Sequence, residues 1–198
     1  MTPMLLNATD ARYPARLRER LGKDAPPQLT ALGNLDLLTL PKTALFCSTR
    51  CPGDAILRAC DTARQWRDEN RCIISGFHSV VEKECLRILL RGSQPVIICP
   101  SRSLKKMRLA ADWKKPLADG RLLVLSCFSG NEHRMTSALA IRRNEFVAAL
   151  ADEVWFAHVA PGGQMQRLAN IIANRKAVGV AGRSSRGASA TDGNTDRR

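Results

Sequence analysis

The sequence predicts a doubly wound α/β fold, with a mainly parallel sheet of about six strands and helices on both faces. Short apolar runs rich in Val, Ile, Leu and Phe alternate with helix-length amphipathic segments along the chain. This alternation is typical of parallel sheets whose strands are joined by crossover helices. Several apolar runs end in Ser, Thr, Gly or Arg, as buried strands often do where they turn into a helix.

The expected elements follow in chain order. The strands are expected at 44–47, 72–75, 95–99, 122–127, 153–159 and 177–181, and the helices at 53–70, 79–91, 103–118, 134–151 and 163–174.

The chain divides into three parts. Residues 1–40 combine a short helical stretch with prolines, which favour extended backbone, so we expect a lead-in that packs on the domain edge. The main domain is expected over 41–181. Residues 182–198 are rich in Ser, Gly, Thr, Asp and Arg without an apolar period, so we expect a disordered basic tail.

Charge and cysteine content narrow the class of protein. The 198 residues carry 31 Lys and Arg against 18 Asp and Glu, a net charge of +13, which favours a polyanionic partner such as nucleic acid. The seven cysteines form no CxxC pair. Their odd number, without a signal peptide, indicates the reducing cytoplasm. We expect no metal and no cofactor, because the cysteines lack the paired spacing of a zinc site. We also expect no membrane partner, because no apolar stretch is long enough to span a bilayer.

The ends of the first two expected strands carry the residues of a phosphate site. Ligands of such sheets bind at the carboxyl ends of the strands. Hydroxyls, amides at helix starts and an arginine together suit an anion, and these ends supply Ser48, Thr49, Arg50, Ser75 and Gly76.

Further residues are expected around this site. The ring of Phe77 either fills the sheet edge or stacks on a base, and the expected site uses the second interpretation. Lys105 and Lys106 either lie on a solvated helix surface or supply flanking positive charge. Arg143 and Asn144 are expected to point at the binding edge from a helix.

An ordered series of motifs resembles the DNA-processing protein A family (DprA, also called Smf) over about residues 12–180. The motifs are Tyr13–Pro14–Ala15–Arg16–Leu17, Pro26–Pro27–Gln28–Leu29 with Gly33, Phe46–Cys47–Ser48–Thr49–Arg50, the run from Ser75 to Glu82, the run from Arg143 to Leu150, and Pro161–Gly162–Gly163. The sequence departs from the family pattern at Ser48 and Val80, where the family has Gly, at Glu82 for Asp, at Glu145 for Arg and at His158 for Glu.

The resemblance implies a Rossmann-like domain that binds single-stranded DNA without catalysis. It also implies a possible RecA-type recombinase partner in natural transformation and a possible homodimer, and it adds the turn glycines Gly162 and Gly163 to the site. Two alternatives stay open. One is a phosphoribohydrolase of the LOG type, although Gln164 onward lacks that family's Gly-Thr and glutamate. The other is a sensor of a nucleotide-derived ligand.

Overall fold

The computed structural model describes residues 2–105, 107–128, 130, 132 and 136–184, with side chains up to residue 174. Within these residues the chain forms one seven-stranded sheet. Its strands are β1 (Met4–Asn7), β2 (Gln28–Gly33), β3 (Lys42–Cys47), β4 (Cys72–Ser75), β5 (Val96–Ile98), β6 (Leu122–Ser126) and β7 (Glu153–His158).

The sheet has a parallel body and an antiparallel edge. The strand order is β1-β2-β6-β5-β4-β3-β7; the strands from β6 to β7 pair in parallel, and β2 pairs antiparallel with β6 and with β1. The chain builds outward from β3 through β4, β5 and β6, and then returns to place β7 on the other side of β3. This reversal makes the β3/β7 boundary the topological switch point, where open α/β sheets place their ligands.

Helices cover both faces of the sheet. They are α1 (Ala15–Leu21), α2 (Gly53–Asp68), α3 (Val80–Leu90), α4 (Lys114–Ala118), α5 (Ser137–Leu150) and α6 (Gln164–Ser184), with short 3-10 turns at Gly22–Asp24, Leu35–Leu38 and Ala111–Trp113. One apolar cluster packs α1, α5 and α6 against the sheet. A second cluster packs α2, α3 and α4 on the opposite face. The predicted doubly wound, mainly parallel architecture is therefore confirmed.

The central strands are apolar because they are buried from both sides. Every residue of β3, β4, β5 and β6 is buried, which explains continuous apolar runs in place of alternation. Lys42 is the charged residue among them, and its Nζ donates to the carbonyl oxygens of Leu38 at 2.9 Å and Leu40 at 2.6 Å. A buried ammonium group is tolerated here because two of its three N–H donors are hydrogen-bonded and the Asp152 carboxylate lies 3.8 Å away.

The strand count differs from the prediction at both ends of the chain. The lead-in supplies two strands, β1 and β2, that were not expected. The strand expected at 177–181 is wrong, because these residues continue α6, which runs to Ser184. A short apolar run of this kind suits either a strand or a buried helix, and its period cannot separate them.

The expected helix at 103–118 is also largely wrong. Helical structure begins only at Ala111, and residues 103–105 and 107–110 are irregular. The side chains of Ser103 and Leu104 are buried, so this segment packs inward as a loop. Residues 182–184 belong to α6, against the expectation of disorder, and the rest of the tail, 185–198, lies outside the described residues. None of the helices described is long and apolar enough to cross a membrane.

Candidate nucleic-acid interface

The corner after β3 joins β3 to the end of β7. The backbone N–H of Ser48 donates to the carbonyl of His158 at 3.0 Å, and the Ser48 hydroxyl accepts from the backbone N–H of Ala160 at 2.9 Å. Ser48 is buried, whereas the next two residues, Thr49 and Arg50, are exposed. The predicted cluster after β3 thus separates into one residue that holds two strands together and two residues that face solvent.

The corner after β4 is held by its own serine. The buried Ser75 hydroxyl donates to the carbonyl of Leu45 at 2.7 Å and accepts from the backbone N–H of Phe77 at 3.1 Å. This second bond holds Phe77 in the left-handed region, with φ at 47°, which is uncommon for a non-glycine residue. The Ser75 hydroxyl therefore fixes the turn and is not directed at a ligand.

The expected stacking of Phe77 on a base is wrong in this conformation. Its side chain is 5% exposed and lies in the apolar cluster beneath α2 and α3. A base cannot reach a ring that the core covers on both sides. The ring of Phe77 instead packs in the apolar core at the edge of the sheet, as the alternative interpretation had it.

A carboxylate of the chain itself occupies the amides at the start of α3. Glu82 is buried; its Oε1 accepts from the backbone N–H of Cys47 at 3.0 Å, and its Oε2 accepts from those of His78 at 2.7 Å and Ser79 at 3.0 Å. Ser79 completes a reciprocal capping box. We expected free amides here to cradle a phosphate, and that expectation is wrong because Glu82 already binds them.

Gly76 and Arg143 form one packed unit behind this corner. A Cβ atom on Gly76 would lie 1.2 Å from Nη1 of Arg143, so only glycine leaves room for the guanidinium. Arg143 donates from Nη1 to the carbonyl of Cys99 at 3.0 Å and from Nε to Oδ1 of Asn144 at 2.7 Å. The arginine thereby links α5 to the ends of β4 and β5.

Arg143 and Asn144 therefore do not point into solvent at the binding edge. Arg143 is 4% exposed and Asn144 is buried. A phosphate in solution therefore does not reach either side chain in this structure, contrary to the direct contact that we expected. Burial lowers the pKa of Arg143, and the charge of Glu82 opposes that shift. The guanidinium and the Glu82 carboxylate are opposite charges within the same corner, and each lessens the cost of burying the other.

The remaining expected residues lie around this corner. Lys105 is exposed, and its backbone N–H donates to the hydroxyl of Ser103 at 3.2 Å; Lys106 lies outside the described residues. Gly162 has φ at 69° and donates its N–H to Oε1 of Gln166 at 2.6 Å. Gly163 donates to the carbonyl of Ala160 at 3.2 Å. The amides of both glycines are thus used in the turn that starts α6.

Two of the expected basic residues at this edge are exposed. Arg50 follows β3 and Lys105 follows β5, and both are exposed. Within the described part of the chain, the salt bridges between side chains do not include Arg50. Glu82, whose carboxylate binds the backbone of the corner, is buried and accepts from three amides, and Asp54 in the first turn of α2 pairs with Arg58. An exposed arginine at the switch point can therefore accept an anionic partner without first breaking an ion pair with these residues.

Sequence reasoning missed Glu82 as the centre of this corner. The signal was present: Ser79 and Glu82 have the S-x-x-E spacing of a capping box at a helix start. The spacing predicts the bonds to Ser79, but it does not predict the bond to Cys47, which lies 35 residues earlier in the chain.

The comparisons with known proteins agree with this architecture. The structure is similar to DNA processing protein A (DprA) from Streptococcus pneumoniae, with a TM-score of 0.72, 22% identity, and coverage of 87% of this chain and 60% of that chain. It is also similar to DNA processing protein A from Helicobacter pylori, solved for its unique single-stranded DNA binding mode, with a TM-score of 0.69, 19% identity, and coverage of 89% and 78%. At these identities the likeness establishes the fold.

The extent of the matches differs between sequence and structure. This chain spans less than two thirds of the S. pneumoniae chain. No functionally curated protein is detectably similar to it in sequence. The sequence model of DNA recombination-mediator protein A matches residues 4–183, which is most of the chain and includes every strand, so the protein belongs to the DNA recombination-mediator protein A family.

Proposed function

We propose that this protein binds single-stranded DNA at the carboxyl edge of its sheet, with Arg50 as the central phosphate contact. The observation that carries the proposal is the position of Arg50, which is exposed three residues after the end of β3, at the switch point of the sheet. Membership of the recombination-mediator family and the net charge of +13 support an anionic polymer as the ligand.

The buried residues of the corner have a supporting role in this proposal. Ser48 and Ser75 fix the two strand ends, and Glu82 and Arg143 hold the turns from beneath through bonds to backbone groups. A phosphate contact from Arg50 loses less entropy when the backbone that carries it is rigid. Direct contacts are assigned to Thr49, Arg50 and Lys105.

The experiment is a titration of labelled oligothymidine with the wild type and with Arg50→Ala, read by fluorescence anisotropy over a salt series. We expect roughly tenfold weaker binding, since one charge-assisted contact is lost. The slope of log K against log salt should fall by about 0.7, the value for one phosphate on a single strand.

The matched control is Arg87→Ala. Arg87 is an exposed arginine in the last turn of α3, at the opposite edge of the sheet, and it pairs with Glu84. Its loss removes the same net charge, so an equal loss of affinity in the two variants would mean that only net charge matters. Unchanged affinity and slope in Arg50→Ala would overturn the assigned contact. Unlabelled mononucleotide that displaces the oligomer at equal nucleotide concentration would favour the sensor alternative.

We extend the proposal to two partners that the family membership suggests. One is a RecA-type recombinase, delivered to the bound strand, which predicts faster recombinase ATP hydrolysis on DNA first coated with a single-strand binding protein. The other is a second copy of this chain, which predicts a doubled mass by light scattering.

The seven cysteines are free thiols, which supports placing the protein in a reducing compartment such as the cytoplasm.

A further inference from the structure

Strand β7 lies at one end of the sheet and pairs with β3 on one side only. After β7 the chain enters α6, which runs to Ser184, and within the residues that the structure describes no later strand returns to the other side of β7. The backbone N–H and C=O groups on that side therefore have no strand partner in the described part of the chain. Groups of this kind are a template for a strand from another chain.

The side chains of β7 are large and apolar, but they are only partly covered. Val154, Trp155 and Phe156 are half-buried, whereas every residue of the neighbouring β3 is buried. Trp155 packs on Trp66 on one face of the sheet, with ring centroids 5.1 Å apart. Phe156 packs on Phe46 on the other face, with ring centroids 5.6 Å apart. The two rings are held in place by the core, and a further strand beside β7 would cover more of them.

The sequence of β7 does little to prevent such pairing. Strands at the edge of a sheet usually carry lysine, proline or a β-bulge, which keep other strands away. β7 has neither Lys nor Pro among its 6 residues. A register shift falls at Ala157, since Phe156 pairs with Phe46 and His158 pairs with Cys47. The segment before this shift, 153–156, is a regular strand whose outer side is available.

We propose that β7 pairs antiparallel with β7 of a second copy across a two-fold axis, which joins the two sheets into one. Each copy supplies the same strand to such an interface. The two ends of this strand have complementary chemistry, with Asp152 and Glu153 at its start and His158 at its end. Antiparallel pairing brings the acidic start of each copy beside the His158 end of the other, whereas parallel pairing would bring like ends together. This inference rests on the proposed partnership with a second copy, and it does not depend on the proposed DNA contact.

Antiparallel pairing also keeps the two candidate phosphate contacts apart. Arg50 follows β3, the neighbour of β7, at the carboxyl edge of the sheet. Because the paired strands run in opposite directions, the two Arg50 corners lie at opposite edges of the joined sheet, about 20 Å apart for a strand of this length. This separation exceeds the screening length of roughly 8 Å in physiological salt, so the corners of two chains that each carry a net charge of +13 repel each other weakly. Each copy keeps an exposed Arg50.

The first test compares Glu153→Lys with the matched control Glu84→Lys. Each change replaces a carboxylate that pairs with an arginine, Arg71 or Arg87, by an ammonium group. Glu84 lies on α3, between β4 and β5 and away from β7. Light scattering over a concentration series should give twice the mass of one chain for the wild type and for Glu84→Lys. Glu153→Lys places a lysine on the edge strand and removes the acidic partner of the other copy's His158 end, so its dimer should dissociate at least tenfold more readily, by roughly 1.4 kcal/mol. Equal dissociation of the two variants would overturn the assigned strand.

The second test reads the pairing in the wild type by hydrogen exchange of backbone amides. Exchange over residues 153–158 should be slower where the protein is dimeric than after dilution, while exchange over 4–7, in β1 at the other end of the sheet, should not change. Slower exchange in both segments, with a mass that grows beyond two chains, would mean that β1 pairs with β7 in an open series and would overturn the two-fold interface.

The remaining outcomes separate this inference from the proposals on which it draws. A dimer with unchanged exchange over 153–158 would overturn the interface but keep the second copy as a partner. A wild-type mass of one chain at every concentration would overturn both. In either case the titration of oligothymidine with Arg50→Ala still decides the DNA contact.

Discussion

Replacing Glu82 with alanine should destabilise the protein more than any surface change at the same edge. The substitution removes the acceptor of three backbone N–H groups, from Cys47 at 3.0 Å, His78 at 2.7 Å and Ser79 at 3.0 Å. Each buried N–H left without an acceptor costs about 1–3 kcal/mol. His78 is exposed, so water can reach its amide, and two donors carry the full cost. We expect Glu82→Ala to lower the free energy of unfolding by about 4 kcal/mol.

The measurement is urea unfolding, analysed by linear extrapolation with a shared slope. Glu84→Ala is the matched control, because Glu84 lies on the same helix and makes a partly exposed ion pair with Arg87; it should cost under about 0.5 kcal/mol. Glu82→Asp, which introduces the family residue, keeps the charge but withdraws it by one methylene, so its effect should fall between the two. A loss of under about 1 kcal/mol in Glu82→Ala would refute the reasoning, since two orphaned donors cost more than that.

Three further predictions concern the same scaffold and the opposite edge. Gly76→Ala forces a Cβ into the Arg143 guanidinium and should cost about 3 kcal/mol in urea unfolding; an equal cost in a background of Arg143→Ala would contradict the clash. Phe77→Leu should lower stability by about 1–2 kcal/mol without changing affinity for oligothymidine, whereas weaker binding by the folded variant would restore the stacking interpretation. The pKa of Asp152 is lowered in the folded protein: burial raises it, but the hydrogen bond from Arg16 and other contacts outweigh that effect. Its contribution is present above the unfolded pKa of about 4 and is lost as the pH falls through the folded value. In Asp152→Asn, the free energy of unfolding should therefore decrease less steeply as the pH falls below about 4. The same decrease in the variant and the wild type would show that Asp152 does not contribute to it.

Much of the parallel sheet was predictable because β3 to β6 are buried on both faces and the edge strand β7, in which only Ala157 is buried, is still rich in apolar residues. The runs at 44–47, 72–75, 95–99, 122–127 and 153–159 correspond to β3 to β7 within one or two residues at each end. A strand that is covered by helices must be apolar along its whole length, and this property is visible in a short stretch of sequence.

The two extra strands were not predictable in this way. β1 and β2 lie at the antiparallel edge, and β2 is defined by its pairing with β6, more than 90 residues later. The edge strand β1 is short and mostly exposed, since only Leu6 of Met4–Asn7 is buried, so it lacks the long apolar run that marks a buried strand. The prolines at 26 and 27 directly before β2 further obscured it, since they indicate a loop more strongly than a strand.

The class of fold, the family and the corner of the sheet where polar residues gather could all be inferred from the amino-acid sequence. This is possible because apolar runs, helical periods and the order of motifs are visible directly in the amino-acid sequence. Which of those polar residues face solvent became clear from the three-dimensional packing. Ser75, Gly76, Arg143 and Glu82 are polar or small residues in the sequence, and each could equally hold a ligand or hold the chain. Several of their partners come from distant segments and satisfy them internally, whereas Arg50 is exposed at the switch point.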